Sequence, residues 1–366
     1  MDVQNNRIYA KLTLQGPNGI PKILRCWLDS GGGSLVLNER TAATLGYSLE
    51  PAQAAKDYVP IELPKVFLDT TGVGVHPATK CYIQPGAAGY DLMAGSDAFV
   101  PLSAFRGYSC RIDYRQERFE LNPTSVLGTR LPISISQGFG FPRIEVTVDR
   151  DSYGFLLDTG AACTMLSRSV IDRLSMRHSG WQRIEGSYGP ANMIGGRFDT
   201  ENVMLRIPEI RLAGVLPVND VVVVSRRTGI FEQNMAKFVT APIVGAIAGD
   251  VLSRFTLTLD YPNELAILEP NGASVAKEYA MVPISLSASP DGPTVDNIVP
   301  DADSSLKAGL LRGDRLTAVD GTALEGIPLQ KVFEMLQGTP GATTHVLSVR
   351  RADQDLVLRV SVRQII

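Results

Sequence analysis

Apolar and polar residues alternate with a period of two along much of the chain, the signature of strands with one buried face. The N-terminal segment "MDVQNNRIYAKLTL" enters such a strand almost at once. Segments 110–121, "CRIDYRQERFEL", and 257–268, "LTLDYPNELAIL", each read as alternating strand, Asp-Tyr, turn and strand. The run "VVVV" at 221–224 is the size of a core strand, and "THVLSVRR" and "LVLRVSVRQ" close the chain as alternating strands. Helical spacing is rarer. "PLQKVFEMLQG" at 328–338 opens with Pro and sets Leu329, Val332, Phe333 and Leu336 on one face, and "SSLKAGL" predicts a short helix stopped at Gly309. The pattern predicts a mainly β protein.

The pattern also repeats. "LRCWLDSGGGSLVLNE" (24–39) and "YGFLLDTGAACTMLSR" (153–168) share an apolar strand, Asp, a hydroxyl residue, Gly, small residues and a second apolar run. One D-[ST]-G turn is weak evidence, so the test is whether flanking features recur in order. "IELPKVFLDTTGV" (61–73) parallels "LRIPEIRLAGV" (205–215), with Pro64 matching Pro208. "LMAGSDAF" (92–99) parallels "AIAGDVLSRF" (246–255), and 110–121 parallels 257–268. Four matches in one order predict two homologous β-rich lobes, 1–128 and 129–270. The second carries about 15 extra residues between its Asp and its Pro, including "RIEGSYGPANMIGGRF" (183–198), which reads as a hairpin or loop, either plain surface or a lid over a cleft.

Two lobes, each ending a buried strand in one Asp, bring Asp29 and Asp158 together if they meet about a pseudo-twofold axis. Like charges ~3.5 Å apart at an effective dielectric of ~20 repel by roughly 4–5 kcal/mol, so such a pair shares one proton at moderate pH. It is then acid and base at once, able to take a proton from a water and give one to a carbonyl oxygen. Gly31 and Gly160 permit close backbone approach, and Ser30 and Thr159 are placed to hydrogen-bond across to the opposite lobe. A non-catalytic duplicate would also need small residues here. A glycosidase would also use two carboxylates, but they stand farther apart around a sugar, and few aromatic residues lie near these two.

On these residues the chain resembles the aspartic peptidases of the pepsin and retropepsin type: "FLLDTGAA" closely, and "CWLDSGGGS" with Ser for Thr. The resemblance spans about 265 residues. It implies two retropepsin-like β-barrel lobes related by a pseudo-twofold axis and Asp29 and Asp158 as the catalytic pair, supported by Ser30, Gly31, Thr159 and Gly160. It also implies "LMAG" and "AIAG" closing a loop behind each Asp, Tyr188 and Gly189 as flap candidates, and a peptide or protein substrate. No cofactor or metal is expected.

Residues 271–281 read as a linker. From 282 to 366 the chain is similar to a small α+β bacterial PDZ domain, most specifically in "AGLLRGDRLTAVDG" (308–321). That resemblance implies a peptide groove, with candidates Ile284 and Leu286 on a strand and Leu329, Val332, Phe333 and Leu336 on a helix. Pro283 stands where a carboxylate-binding loop usually has Gly and lacks an N–H to donate. Plain core, and docking onto the peptidase lobes, are the rival roles for this region. PDZ-linked peptidases often sit in the bacterial envelope, so the resemblance favours a bacterial periplasmic or extracytoplasmic setting, and these residues leave the compartment open. A catalytically inactive scaffold using the same cleft and groove is the alternative function.

Composition narrows the rest. At 366 residues the chain predicts two or three domains. Net charge −3, with 44% apolar and 20% charged residues, gives no footprint for nucleic acid. Gly 34 and Pro 23 favour many turns between short strands. No apolar run is long enough to span a bilayer, and no signal-peptide apolar region is present. The four cysteines lack CxxC spacing and the three histidines lie far apart, against a zinc site. Cys163 has no nearby His to make it a nucleophile and matches Ser34 of the first half, so it reads as a small packing residue; His76, His178 and His345 are given no catalytic role. "GVGVHPATK" (72–80) lacks P-loop spacing and reads as a strand and turn.

Overall fold

A computed structural model describes the chain apart from residues 51–52, 54–55, 87–94, 192–200, 227–228, 240, 273–278, 290 and 300–308. It divides into two compact units: Met1–Ser167 with Pro208–Val221 and Thr228–Ser274, and Arg168–Ile207 with Val222–Arg227 and Val275–Ile366. The fold is mainly β.

The first unit holds both D-[ST]-G segments and is built twice over. In the first half, strand Arg7–Gln15 pairs antiparallel with Pro21–Asp29, which pairs parallel with Ala98–Pro101. In the second half, Pro142–Val148 pairs with Asp151–Leu157, which pairs parallel with Gly245–Ile247. The alternation explains the strands: Ile8, Leu12 and Leu14 are fully buried on one, Ile144, Val146 and Val148 on its counterpart. Thr13 opposes Phe67 as Thr147 opposes Arg211, which makes Pro64 and Pro208 equivalent by position as well as by sequence.

The repeated Asp-Tyr hairpins meet in one five-stranded antiparallel sheet, in which Ser109–Asp113 lies against Phe255–Asp260. The register itself shows the duplication. Arg111 opposes Thr258; on either side Cys110 opposes Leu259 and Ile112 opposes Leu257. Exchanging each residue for its repeat partner returns the same pairing, as a twofold axis through the Arg111–Thr258 pair requires.

One repeat match is corrected. The strand lying parallel to Pro21–Asp29 is Ala98–Pro101, not "LMAG", whose residues 92–94 are outside the described residues. Val100 opposes Leu28 as Ile247 opposes Leu157, so the counterpart of "AIAGD" is "FVPLS". The glycine shared by "LMAG" and "AIAG" drew the two into false alignment.

In the second unit, Arg183–Glu185 pairs with Val203–Leu205, giving the base of the expected hairpin. Its C-terminal part is an antiparallel sheet that begins with the end strand Ile284–Ser287 and runs through Thr294–Ile298, Arg315–Val319, Thr344–Arg351 and Gln354–Ser361. Helix Leu329–Met335 contributes Val332 and Phe333 to the core under this sheet. The predicted terminal strands and helix are present; most of "SSLKAGL" and of the expected linker lie outside the described residues. Gly309, Gly313 and Gly321 all have positive φ, the conformation that glycine adopts without strain. The buried Asp314 that follows Gly313 receives both Nε and Nη2 of Arg351, at 2.7 and 2.8 Å.

Candidate active site

Asp29 ends strand Pro21–Asp29 and Asp158 follows strand Asp151–Leu157, so each carboxyl stands where a buried strand breaks into a small-residue turn. The two turns interlock. Ser30 N–H donates to Thr159 Oγ1 and Thr159 N–H donates to Ser30 Oγ, each at 3.0 Å. Each hydroxyl then donates to the opposite strand: Ser30 to the Leu157 carbonyl at 2.6 Å, Thr159 to the Leu28 carbonyl at 3.2 Å. Both side chains are fully buried, and the four bonds leave neither hydroxyl unpaired.

The glycines face the opposite aspartate. A Cβ on Gly31 would fall 2.7 Å from Asp158 Cγ, and one on Gly160 would overlap Asp29 Cγ. Any side chain at either place would push the turns apart. Gly32 is closed off by Phe99 and Gly33 by Phe139.

The two carboxyls hydrogen-bond to each other, and their environments differ. Burial raises the Asp29 pKa well above its ordinary range, and the charge of Asp158 and the bond to it raise it further. Burial also raises Asp158, but Asp29, the N–H groups of Gly160 and Ala161, and the Arg7 guanidinium all pull it back. Asp29 is therefore the more strongly raised of the two carboxyls. Backbone N–H groups serve both carboxyls: Asp158 Oδ1 accepts those of Gly160 and Ala161 at 3.0 Å, and Asp29 Oδ1 accepts that of Gly31 at 2.6 Å, with the Gly160 N–H also favouring its charged form; the Arg7 guanidinium acts on Asp158.

Three neighbours escaped the sequence reading. Arg7 is buried, donates from Nε to the Gly160 carbonyl at 2.9 Å and lies over the Trp27 ring. Its strand, RIYAKLTLQ, also carries Lys11, so nothing in the sequence sets Arg7 apart. Tyr114 and Tyr261, the tyrosines of the two Asp-Tyr repeats, are buried, and among the described residues neither hydroxyl has a hydrogen-bond partner. Tyr114 feels the charge of Asp158 and Tyr261 that of Asp29, each from the other half of the repeat.

Behind Asp158 the turn is tied to the "AIAG" loop. Asp158 N–H donates to the Ile247 carbonyl, Gly249 N–H to Ala161, and Thr164 Oγ1 to the buried Asp250 carboxyl at 2.7 Å. By register, Leu35 and Ser103 occupy the Thr164 and Asp250 positions in the first half.

The remaining predicted residues lie in the second unit. Tyr188 is 1% exposed, its N–H directed at Met204 Sδ, and Gly189 abuts Met281 Sδ. The two flap candidates thus lie in the second unit, with the Tyr188 ring buried. Ile284, Leu286, Val332, Phe333 and Leu336 are buried in one hydrophobic cluster and Leu329 lies partly buried against it. All four cysteines are buried thiols outside any disulfide, and burial raises the thiols of Cys26, Cys81 and Cys110. Among the described residues no cluster of His, Cys, Asp or Glu could hold a metal ion, and no helix is long and apolar enough to cross a membrane.

The chain is mainly β and sets two carboxyls against each other. Residues 144–235, which contain Asp158, match the aspartyl protease family model. Among solved structures, the chain is similar to an aspartic proteinase from Irpex lacteus, with 11% identity and a TM-score of 0.43 over 74% of this chain and 95% of that one. It is also similar to an aminopeptidase N family protein from Idiomarina loihiensis, with 25% identity and a TM-score of 0.21 over 24% of this chain and 14% of that one. No curated protein sequence matches the chain. The family match supports an aspartic peptidase.

Proposed function

We propose that the chain is an aspartic endopeptidase whose dyad is Asp29 and Asp158. The observation that carries the reading is the reciprocal fit of the two turns, in which Gly31 abuts the Asp158 carboxyl, Gly160 abuts that of Asp29, and the carboxyls share a hydrogen bond. Asp158, as the carboxylate, takes a proton from a water between the pair. Asp29, as the acid, donates to the carbonyl oxygen of a peptide bond as the water attacks its carbon. Ser30 and Thr159 hold the geometry and act as positioning residues. On this reading residues 1–128 and 129–270 are the two lobes of one peptidase, and the twofold register of the Asp-Tyr hairpins supports that division.

We also read residues 282–366 as a PDZ-like domain. Its antiparallel sheet, the helix Leu329–Met335 and the positive-φ glycines of the "GLLRGD" and "VDG" turns support this.

The test of the dyad is cleavage of a quenched-fluorescent peptide library between pH 3 and 7 by the full chain and by Asp29→Asn and Asp158→Asn. Both variants are expected to lose cleavage while keeping the far-UV circular dichroism of the parent. Undiminished turnover in either variant overturns the proposal.

A further inference from the structure

A strand at the end of a sheet beside a helix forms a cleft suited to an added peptide. In the second unit that place lies between end strand Ile284–Ser287 and helix Leu329–Met335, and a turn of this chain lies beside it. The short 3-10 turn Gly189–Ala191 touches both the strand and the helix. Ile284, Leu286, Val332 and Leu336 are buried in the core of this part of the unit, and Tyr188 and Ala191 are buried too.

The turn is held as a shaped object. The Gly186 N–H donates to the Asn202 carbonyl at 2.6 Å, and Asn202 Nδ2 donates to Ser187 Oγ at 2.7 Å. The Ala191 N–H closes onto the Tyr188 carbonyl at 3.1 Å, and the Ala191 carbonyl receives Nη1 of Arg226 at 3.1 Å. Gly189 has φ +55°, and a Cβ there would fall 2.5 Å from Met281 Sδ, so both backbone and space call for glycine. The floor of the cleft is tied as well, by the Val282 N–H on the Leu336 carbonyl at 2.9 Å. These residues belong to the segment that the second half carries in addition to the first. The extra length therefore has a structural use in this unit.

We propose that residues 186–191 are a built-in ligand of this cleft, so that an external extended peptide enters only by displacing them. A tethered occupant acts at an effective concentration of about millimolar. External affinity falls in proportion to the fraction of molecules in which the cleft is open. The proposal rests on the PDZ-like reading of 282–366 and is independent of the dyad.

The probe is a fluorescein-labelled peptide of residues 183–191, RIEGSYGPA, titrated against the full chain by anisotropy. Gly189→Val puts a β-branched residue at positive φ against Met281, and Ala191→Glu puts a carboxylate in a fully buried position without adding anything at Met281; each should release the turn. The expected result is at least tenfold tighter binding by both variants than by the parent, with faster amide exchange at 284–287 and 329–336. Equal binding by parent and variants overturns the latch. Loss of exchange protection at the cleft with no peptide bound by either variant overturns the peptide-cleft reading beneath it. The parent alone supplies a measurement that does not depend on variants folding: the Ala191 amide should exchange as slowly as the core of its unit, and exchange at the rate of an open loop overturns the proposal.

Discussion

Replacing Asp29 with Asn should make the protein more stable at pH 7 while removing its activity. Asp29 titrates above its ordinary value of 3.8 in the fold, first because burial disfavours its charge and then because Asp158 stands against it. A raised acid binds more protons folded than unfolded. Its contribution to stability is complete below 3.8 and is lost as the pH rises through the folded value. Asn carries no such loss. Its amide can still donate to Asp158, and its Oδ1 can still accept the Gly31 N–H that Asp29 now accepts.

The repulsion relieved sets the ceiling. Two charges in hydrogen-bond contact at an effective dielectric of ~20 cost about 4–5 kcal/mol, and sharing a proton recovers part of that. A gain on the order of 1–4 kcal/mol at pH 7 follows, or roughly 2–4 °C in Tm for each kcal/mol in a domain of about this size. Scanning calorimetry of parent and variant at pH 3, 5 and 7 reads it. The gain should be largest at pH 7 and vanish near pH 3, where both proteins carry an uncharged group at position 29. A variant less stable than the parent at pH 7, or a difference independent of pH, refutes the assignment of the shared proton to Asp29.

Gly160→Ala and Gly31→Ala should each cut kcat/KM by about a hundredfold, the cost of roughly 1 Å of misplacement at reacting groups, with the larger loss at 160, where the added methyl overlaps Asp29; unchanged kinetics would show that the turns do not meet as described. Arg7→Met should move the acid limb of the pH profile upward, because the guanidinium favours the charged form of Asp158, while Arg7→Lys should leave the limb in place; a uniform rate loss without a shift would assign Arg7 a purely structural role. Iodoacetamide should leave cleavage intact, since all four thiols are buried, and inactivation by the reagent would contradict that. Asp250→Ala should cost about 1–3 kcal/mol by stranding the Thr164 hydroxyl, and Thr164→Leu with Asp250→Ser, the residues of the first half, should recover part of it in thermal melts.

What could be read in the sequence follows from what each kind of signal encodes. Asp29 and Asp158 were legible because duplication wrote the same constraint twice: strand, carboxyl, hydroxyl and glycine recur because each has a partner in the other turn. Leu28 and Leu157 offer the carbonyls, Ser30 and Thr159 the hydroxyls, and neither set is satisfied without its counterpart. The "LMAG" alignment failed for the complementary reason. A glycine is a local constraint, and the one at 249 exists because a Cβ there would collide with the Asn6 carbonyl. The first half solves that place with Leu102, so matching glycine to glycine aligned two unrelated needs. Arg7 was hidden because its partner, a backbone carbonyl, leaves no mark on the sequence. The insertion around Tyr188 was visible as extra length, yet length does not say what it covers. Its anchors are the Asn202 side chain, the Met204 sulfur, Arg226 and Met281, side chains that meet it only after the chain has returned. Repetition therefore exposes contacts between like segments, and it is silent where one half has acquired something the other lacks.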